Sequence, residues 1–513
     1  VQRSRIKWLA TGLVLGLLIL SASCREDFEY APSSGNLEFS KDTVFLDTIF
    51  SNIGSSTYSL KVYNRSSEDI LIPYVGLETG QQSSYRLNVD GMAGKEFQDI
   101  PLLAKDSLFV FIETTFDATG LPENEFLYIE DLLFGEGSAI QQVPLVTLVK
   151  DAVFLFPATL PNGNKESLVL GTDENGGEIR VEGFYLEPDE LLFTNEKPYV
   201  IYGYAAVADG TTLSMEPGTR VHFHQNAGLV VDSGASIMVN GALSEDQEEL
   251  ENEVIFEGDR LETTYAQEPG QWGTVWIKEG STGNHLSHLT IKNATTGLRV
   301  DGDGQLATPT LTLTNTQIYN SVNDNLWATS AYITAKNTVL GNAGGASARI
   351  DLGGNYSFVH CTLANYWSNG FRSGPTLTIG NYDGDTTQNL EQADFINSIV
   401  HGTLPLELTL LQDPAADFNF KFLNCLLQFD DSNNSFANDP LYDFGDTNSY
   451  ENIILNQSPE FSLPFDNQFQ IGFNSAALDA ATPDLIDPIP FDILGIDRTQ
   501  NPDLGAYEFV NEN

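Results

Sequence analysis

Between Asn284 and Leu427 the apolar and polar positions follow one recurring frame. The segments HLSHLTIKN, LTLTNTQIYN, ITAKNTVLGN, YSFVHCTLAN, ADFINSIVHG and FKFLNCLLQF share it: an apolar residue, any residue, His or Asn, a small or apolar residue, any residue, then Ile, Leu or Val. The His/Asn column is His288, Asn315, Asn337, His360, Asn397 and Asn424. Two residues earlier stand Leu286, Leu313, Ala335, Phe358, Phe395 and Phe422, and three residues later Ile291, Ile318, Leu340, Leu363, Val400 and Leu427. Subtraction gives steps of 27, 22, 23, 37 and 27 residues, the range in which self-similarity signifies stacked supersecondary units. The apolar alternation runs up to the His/Asn, slips by one and resumes, which predicts two short strands joined at a bend and not a helix. Asn is the non-glycine residue that best tolerates a left-handed backbone, and stacked amides bond from coil to coil. The pattern predicts a β-solenoid with an Asn ladder at one corner.

This frame resembles the right-handed parallel β-helix proteins of the pectate-lyase-like superfamily. The stretch NEKPYVIYGYAAVADGTTLSMEPGTRVHFHQNAGLVVDSGASIMVNGAL is similar to the first coils of bacterial β-helices, with Glu216-Pro217-Gly218 leading into a buried strand. Upstream, TVFLDTIF, TYSLKVYN, DILIPYVGL, SYRLNVDG, SLFVFIETTF, FLYIEDLLF and QQVPLVTLV read as strands separated by turn residues. Strands at this spacing fit a β-sandwich. STYSLKVYNRSSEDILI resembles the Ig-like modules of bacterial surface proteins, without the Cys pair or buried Trp of a true immunoglobulin domain. The fold class expected is all-β, an N-terminal β-sandwich followed by a right-handed parallel β-helix.

The divisions expected are a signal peptide over 1–23, a tether over 24–35, an Ig-like sandwich serving as a spacer over 36–150, a connector and N-terminal cap over 151–200, the β-helix over 201–428, and C-terminal coils with a cap over 429–513. The ending FDILGIDRTQNPDLGAYEF resembles the C-terminal cap of bacterial surface β-helix proteins. Three insertions, SEDQEELENE, RLETTYAQEPGQ and YDGDTTQNLEQ, are expected to form loops on one side of the solenoid and to meet a partner there.

The first residues add a location. Arg3, Arg5 and Lys7 precede an apolar run from Trp8 to Leu20 that is short for a membrane span, and SASC ends at Cys24. This resembles a bacterial lipoprotein signal peptide with a relaxed cleavage motif, Leu20 standing one place further from the cysteine than usual. Lipidation at Cys24, with palmitate among the acyl chains, is the implied modification. An uncleaved anchor or a plain secretory signal is the alternative. REDFEY after Cys24 resembles the export signal of Bacteroidota lipoproteins that face the cell exterior from the outer membrane. The triplets at Asp42-Thr43-Val44, Asp47-Thr48-Ile49, Asp106-Ser107-Leu108 and Asp385-Thr386-Thr387 resemble that phylum's O-glycosylation sites, implying modification of Thr43, Thr48, Ser107 and Thr386.

Charge narrows the partners. Lys+Arg number 24 and Asp+Glu 71, a net −47, which argues against nucleic acid or an anionic lipid surface. Cleavage before Cys24 removes three cations, leaving 21 minus 71, or −50. Cys361 and Cys425 fall in one column, two coils and about 10 Å apart, too far for a disulfide, and read as small buried fillers.

Candidate chemistry is sparse. Counting twelve residues on from the ladder reaches Trp327, Arg349 and Arg372, and eleven on from His288 reaches Arg299. These predict an outward file, Arg299, Trp327, Arg349, Arg372, fit either to bind a glycan by charge and stacking or to pair with Asp301 and Asp351 on a solvated face. Asp301 and Asp303 in DGDG, and Asp383 and Asp385 in DGD, are candidate Ca²⁺ ligands or ordinary turns; no other cofactor is expected. His222 and His224 share a strand without a third ligand at metal spacing, and Asp479, Asp484 and Asp487 lie close together in a Pro-rich stretch. The function expected is a non-catalytic binding or scaffold subunit of an outer-membrane protein assembly, held to the membrane by its N-terminal lipid. The alternatives are a polysaccharide lyase and a glycan-binding adhesin using the arginine file.

Overall fold

The computed structural model describes residues 30–121, 124–172, 176–304, 307–483, 485 and 487–511. Cys24 and residues 1–23, where the signal peptide is expected, lie outside them. The chain forms two units, Val1–Lys150 and Asp151–Asn513.

In the first unit, the seven strands expected from alternating apolar residues form two sheets. One contains Val44–Phe50, Gln141–Lys150, Glu125–Phe134 and Ile70–Leu77, and the other Tyr58–Tyr63, Ser107–Thr114 and Tyr85–Val89. Glu96–Leu102 is an added strand on the first sheet. Inward residues such as Leu46, Leu60, Ile72, Tyr85, Val110 and Phe134 are fully buried between the sheets. The expected tether is shorter than predicted: Ala31–Pro32 pairs in parallel with Ile70 and Leu71, and Ser33 is buried. Two residues added to a sheet edge leave no periodicity to read.

The second unit is a parallel β-helix. The coils of its middle supply three strands each; Asn284–Ser287, Leu289–Lys292 and Leu298–Asp301 are one such set, on faces designated a, b and c. Faces a and b meet at the ladder corner. The register matches the sequence frame column for column: Leu286, Leu313, Ala335, Phe358, Phe395 and Phe422 pair in turn on face a. Ile291, Ile318, Leu340, Leu363, Val400 and Leu427 do so on face b. Every ladder residue has the left-handed backbone, with φ between 46° and 52°. That conformation turns the chain through the corner in one residue. Aromatic rings continue the repeat inside: Phe358, Phe395 and Phe422 stack at centroid distances of 4.9 Å, and Tyr450 follows at 5.7 Å.

The ladder extends one coil beyond its expected end. Asn452, with φ 56°, donates to Asn424 Oδ1 at 2.9 Å. The other amide bonds run Asn315 to His288 (2.9 Å), Asn337 to Asn315 (2.9 Å), Asn397 to His360 (2.9 Å) and Asn424 to Asn397 (3.3 Å). Among the described residues no side-chain bond joins Asn337 to His360, and Asn337 Oδ1 has no partner. The coils also begin inside the expected connector, where Val153–Leu155 and Leu192–Phe193 already pair with solenoid strands.

The C-terminal segment departs from its expected role. The end of the core is closed by aromatic residues between Phe429 and Tyr450, where Phe429 stacks on Tyr442 at 4.8 Å and Phe444 meets Tyr450 at 4.6 Å. The described residues of 456–511 instead run back along the outside of face b as a strap. Phe469, Ile493 and Tyr507 of the strap pack on Val339 and Ala364, and Ile471, Ala477 and Leu504 on Ile399 and Leu426. Apolar outward residues on face b are thereby removed from water. The conspicuous Asp492, Arg498, Asp503 and Glu508 hold the strap's own fold: Asp492 accepts the amides of Leu494, Ile496 and Glu508, and Arg498 pairs with Glu508 at 3.3 Å.

The insertions also leave the rod at three different corners instead of one side. Residues 244–253 lie between faces a and b, 260–271 between b and c, and the Tyr382–Asp383/Thr386–Thr387 hairpin between c and a.

Phe395 lies at the centre of the stacked column and is fully buried. Phe395→Ala is expected to destabilise the second unit by about 3–5 kcal/mol, read by urea unfolding with hydrogen exchange resolving the two units. The first unit's transition is expected to be unchanged.

Candidate functional site

Outward residues of face c form the file sought from the sequence, with one member gained and one lost. Register aligns Trp276, Arg299, Trp327 and Arg349, followed by Thr378 and Thr409. Tryptophan and arginine alternate at the spacing of adjacent strands. The Arg299 guanidinium carbon lies 4.1 Å from the Trp276 ring centroid and 4.7 Å from that of Trp327; Arg349 lies 5.3 Å from Trp327 on the other side. The next outward position on the same strands carries Asp301, Thr329 and Asp351. Asp301 takes Arg299 Nε at 3.2 Å and Nη2 at 3.1 Å, and accepts the Trp276 indole N–H at 2.8 Å. Asp351 repeats this with Arg349 Nε at 2.7 Å and the Trp327 indole at 3.0 Å.

These contacts define what the file can do. Each guanidinium is paired with a carboxylate and lies over indole, so both halves of the sequence reading coexist: stacking occurs, but between members of the file. Trp327 carries the guanidinium groups of both Arg299 and Arg349, Trp276 carries that of Arg299, and both indole N–H groups are bonded to carboxylates. The arginine charges of the file are internally neutralised.

Arg372 is not in the file. The b-to-c connection runs from Asn342 to Ala348 in one coil but from Asn365 to Leu377 in the next, so Thr378 takes the predicted place. Arg372 lies in that longer loop, where its guanidinium pairs with Glu407; the two side chains are 6% and 0% exposed. It donates through Nη1 to Glu407 Oε1 at 2.9 Å and to the Asn365 carbonyl at 2.8 Å. Glu407 accepts further bonds from the amides of Thr376 and Leu404. The pair is a structural bolt: both carboxylate oxygens and both terminal guanidinium nitrogens are bonded, while Nε has no partner among the described residues.

Trp276 was missed because its coil carries an insertion at the ladder corner, which removes the residue from which to count. The signal was nevertheless present: VWIK, LRVD, LWAT and ARID share one apolar, aromatic or basic, apolar, polar pattern.

A second Asn corner went unread although four of the six aligned segments end on it, at Asn293, Asn320, Asn342 and Asn365. Asn293 and Asn320, with φ 64° and 61°, join faces b and c, and Asn320 donates to Asn293 Oδ1 at 2.6 Å. Both amides also hold the 260–271 insertion, Asn293 bonding Ala266 O at 3.0 Å and Asn320 bonding Gln267 O at 2.8 Å.

The remaining candidates separate. Asp303 is exposed in the loop after face c, and Asp383 and Asp385 are exposed in the hairpin between c and a. Among the described residues no three His, Cys, Asp or Glu side chains converge on a common point suited to a metal. His222 Nδ1 lies 3.6 Å from Glu257, which also takes Lys292 Nζ at 2.8 Å, while His224 Nδ1 pairs with Asp259 Oδ2 at 2.7 Å. Asp487 pairs with Lys336; Asp484 lies outside the described residues. Cys361 and Cys425 are free and fully buried, and burial pushes both thiols up to about 12. Thr43, Thr48 and Ser107 are half-buried at or beside strands of the first unit, and Thr386 is exposed in the hairpin. No helix among the described residues is long and apolar enough to cross a membrane.

No protein-family model matches the chain, and no curated protein matches it. Among solved structures it is similar to the ASH / PapD-like domain of human CEP192 (PapD-like domain 7), at 11% identity and a TM-score of 0.16, over 25% of this chain and 94% of that one. So low a score carries no argument, and the sandwich is established by its own strand pairing.

The two arginines separate in stability. Arg372→Ala leaves buried Glu407 unpaired and is expected to cost about 3–5 kcal/mol. Arg349→Ala, at a half-exposed pair, is expected to cost about 1 kcal/mol. Thermal unfolding of the two variants beside the parent checks the difference.

Proposed function

We propose that the chain is a lipid-anchored lipoprotein on the outer face of a Bacteroidota-type outer membrane. There it serves as a non-catalytic scaffold subunit of an outer-membrane protein assembly. The observation that supports this most is the state of the Trp–Arg file. Its charges and ring faces are engaged with one another, so face c offers a broad, preformed surface and no group poised to react. Preformed surfaces lose little conformational entropy on docking. The Cys24 signal and REDFEY sequence support the location, and the −47 net charge suits a partner that presents cations.

The lyase reading is less well supported. A base acting beside a uronate carboxylate must be free to take a proton. Arg349 is tied to Asp351 and Arg372 is walled in behind Glu407. Ca²⁺ has no cluster of carboxylates to hold it among the described residues.

Gentle solubilisation of membranes, with a photo-crosslinking residue at Thr329 or Thr378, tests the proposal. A stoichiometric outer-membrane protein crosslinked from face c is the expected result. A chain that elutes alone, or that depolymerises uronate polymers when pure, contradicts it.

A further inference from the structure

In the first coils of the β-helix, the corner between faces b and c opens into a groove of about 620 Å³. Its floor is built from Tyr204. The ring lies across Gly228 and Gly273: a Cβ on Gly228 would come 2.5 Å from Tyr204 Cε1, and one on Gly273 would come 2.2 Å from the phenol oxygen. Any side chain at either position would lift the ring. The wall is a second aromatic pair from successive turns, Tyr202 and His224, with centroids 4.4 Å apart and planes inclined at 31°. His224 is fixed there by Asp259 Oδ2 at 2.7 Å.

Around these rings the groove presents neutral hydrogen-bonding groups. Gln225 and Asn226 are exposed at its rim, and Asn226 is held outward by a left-handed backbone at φ 62°. Thr274, Thr295, Thr296 and Glu182 also line the groove. No lysine or arginine lines it. The volume lies within the range of small-molecule sites, and the mixture of aromatic surface with a few convergent polar groups is characteristic of them.

We infer that this groove binds a neutral glycan. Pyranose rings carry apolar C–H faces that pack on aromatic rings, and hydroxyls that pair with amides, threonine hydroxyls and a carboxylate. A uronate or sulfated sugar would need a cation to offset its charge, and here it would meet Glu182 and the field of a chain at −47. The groove shares no residue with the Trp–Arg file, so the inference stands apart from the scaffold role and survives its failure.

Titration calorimetry of the full chain with gluco-, manno-, galacto- and xylo-hexaose, and with a galacturonate hexamer as comparator, tests it. At least one neutral hexaose is expected to bind, and the galacturonate hexamer is not. Tyr202→Ala and Gln225→Ala are each expected to weaken binding by about tenfold or more, while Thr378→Ala on face c leaves it unchanged. Gln225 is solvent-exposed, so its variant remains informative if Tyr202→Ala fails to fold. Binding by none of the neutral sugars, preference for the galacturonate, or binding indifferent to both groove variants overturns the inference. Crosslinking from face c is unaffected by either outcome.

Discussion

The second unit depends on one residue per coil being held in the left-handed conformation at the corner between faces a and b. A left-handed backbone is unfavourable for most L-residues, and Asn is among the few that adopt it routinely. Its amide then bonds the next coil, so the residue that makes the turn also sets the register between turns. His288 and His360 occupy the same position and accept through Nε2 the amide that Asn315 and Asn397 donate. With the corner fixed, the apolar residues two before and three after it fall inside, and the stacked phenylalanines follow.

The corner amides do more than join coils. Asn337 bonds Phe491 O at 2.9 Å, and Asn397 bonds Thr482 O at 2.9 Å while accepting the Thr482 amide at 3.0 Å. At the other corner Asn342 bonds Pro464 O at 2.7 Å. The strap is thus sewn to the rod at both edges of face b by side chains whose first role is to turn the chain. The 260–271 insertion is held in the same way by Asn293 and Asn320. Aperiodic segments dock where the periodic part exposes a spare donor or acceptor. This satisfies polar groups that packing would otherwise strand.

How much of this was legible in the sequence follows from the range of each interaction. The ladder, the inward columns and the sandwich strands repeat at short intervals, and period alone reveals them. The strap's path was not legible, since Gly505 bonds Asn397 and Tyr507 bonds Gln317 across more than a hundred residues with no repeat to announce it. Arg372 was misplaced because counting assumes a constant loop length, and the loop after Asn365 is longer than the others. The second Asn corner stood within the aligned segments, but Asn at a strand end reads as an ordinary turn residue, and Trp276 lay in a coil whose insertion removes the ladder residue from which to count. The groove of Tyr202, Tyr204 and His224 gathers residues from successive coils and a hairpin, a juxtaposition that no linear spacing encodes.

Hydrogen exchange on Asn397→Gly tests most directly whether corner amides hold the strap. Glycine keeps the left-handed turn and the backbone carbonyl that accepts the Gly505 amide at 2.8 Å, and removes only the side chain. Protection of the Thr482 amide is expected to fall by about tenfold or more, with Gly505 and the Phe395 strand retaining theirs. Equal protection of Thr482 in parent and variant would show that the strap is held by apolar packing alone, and would contradict the role assigned to the ladder.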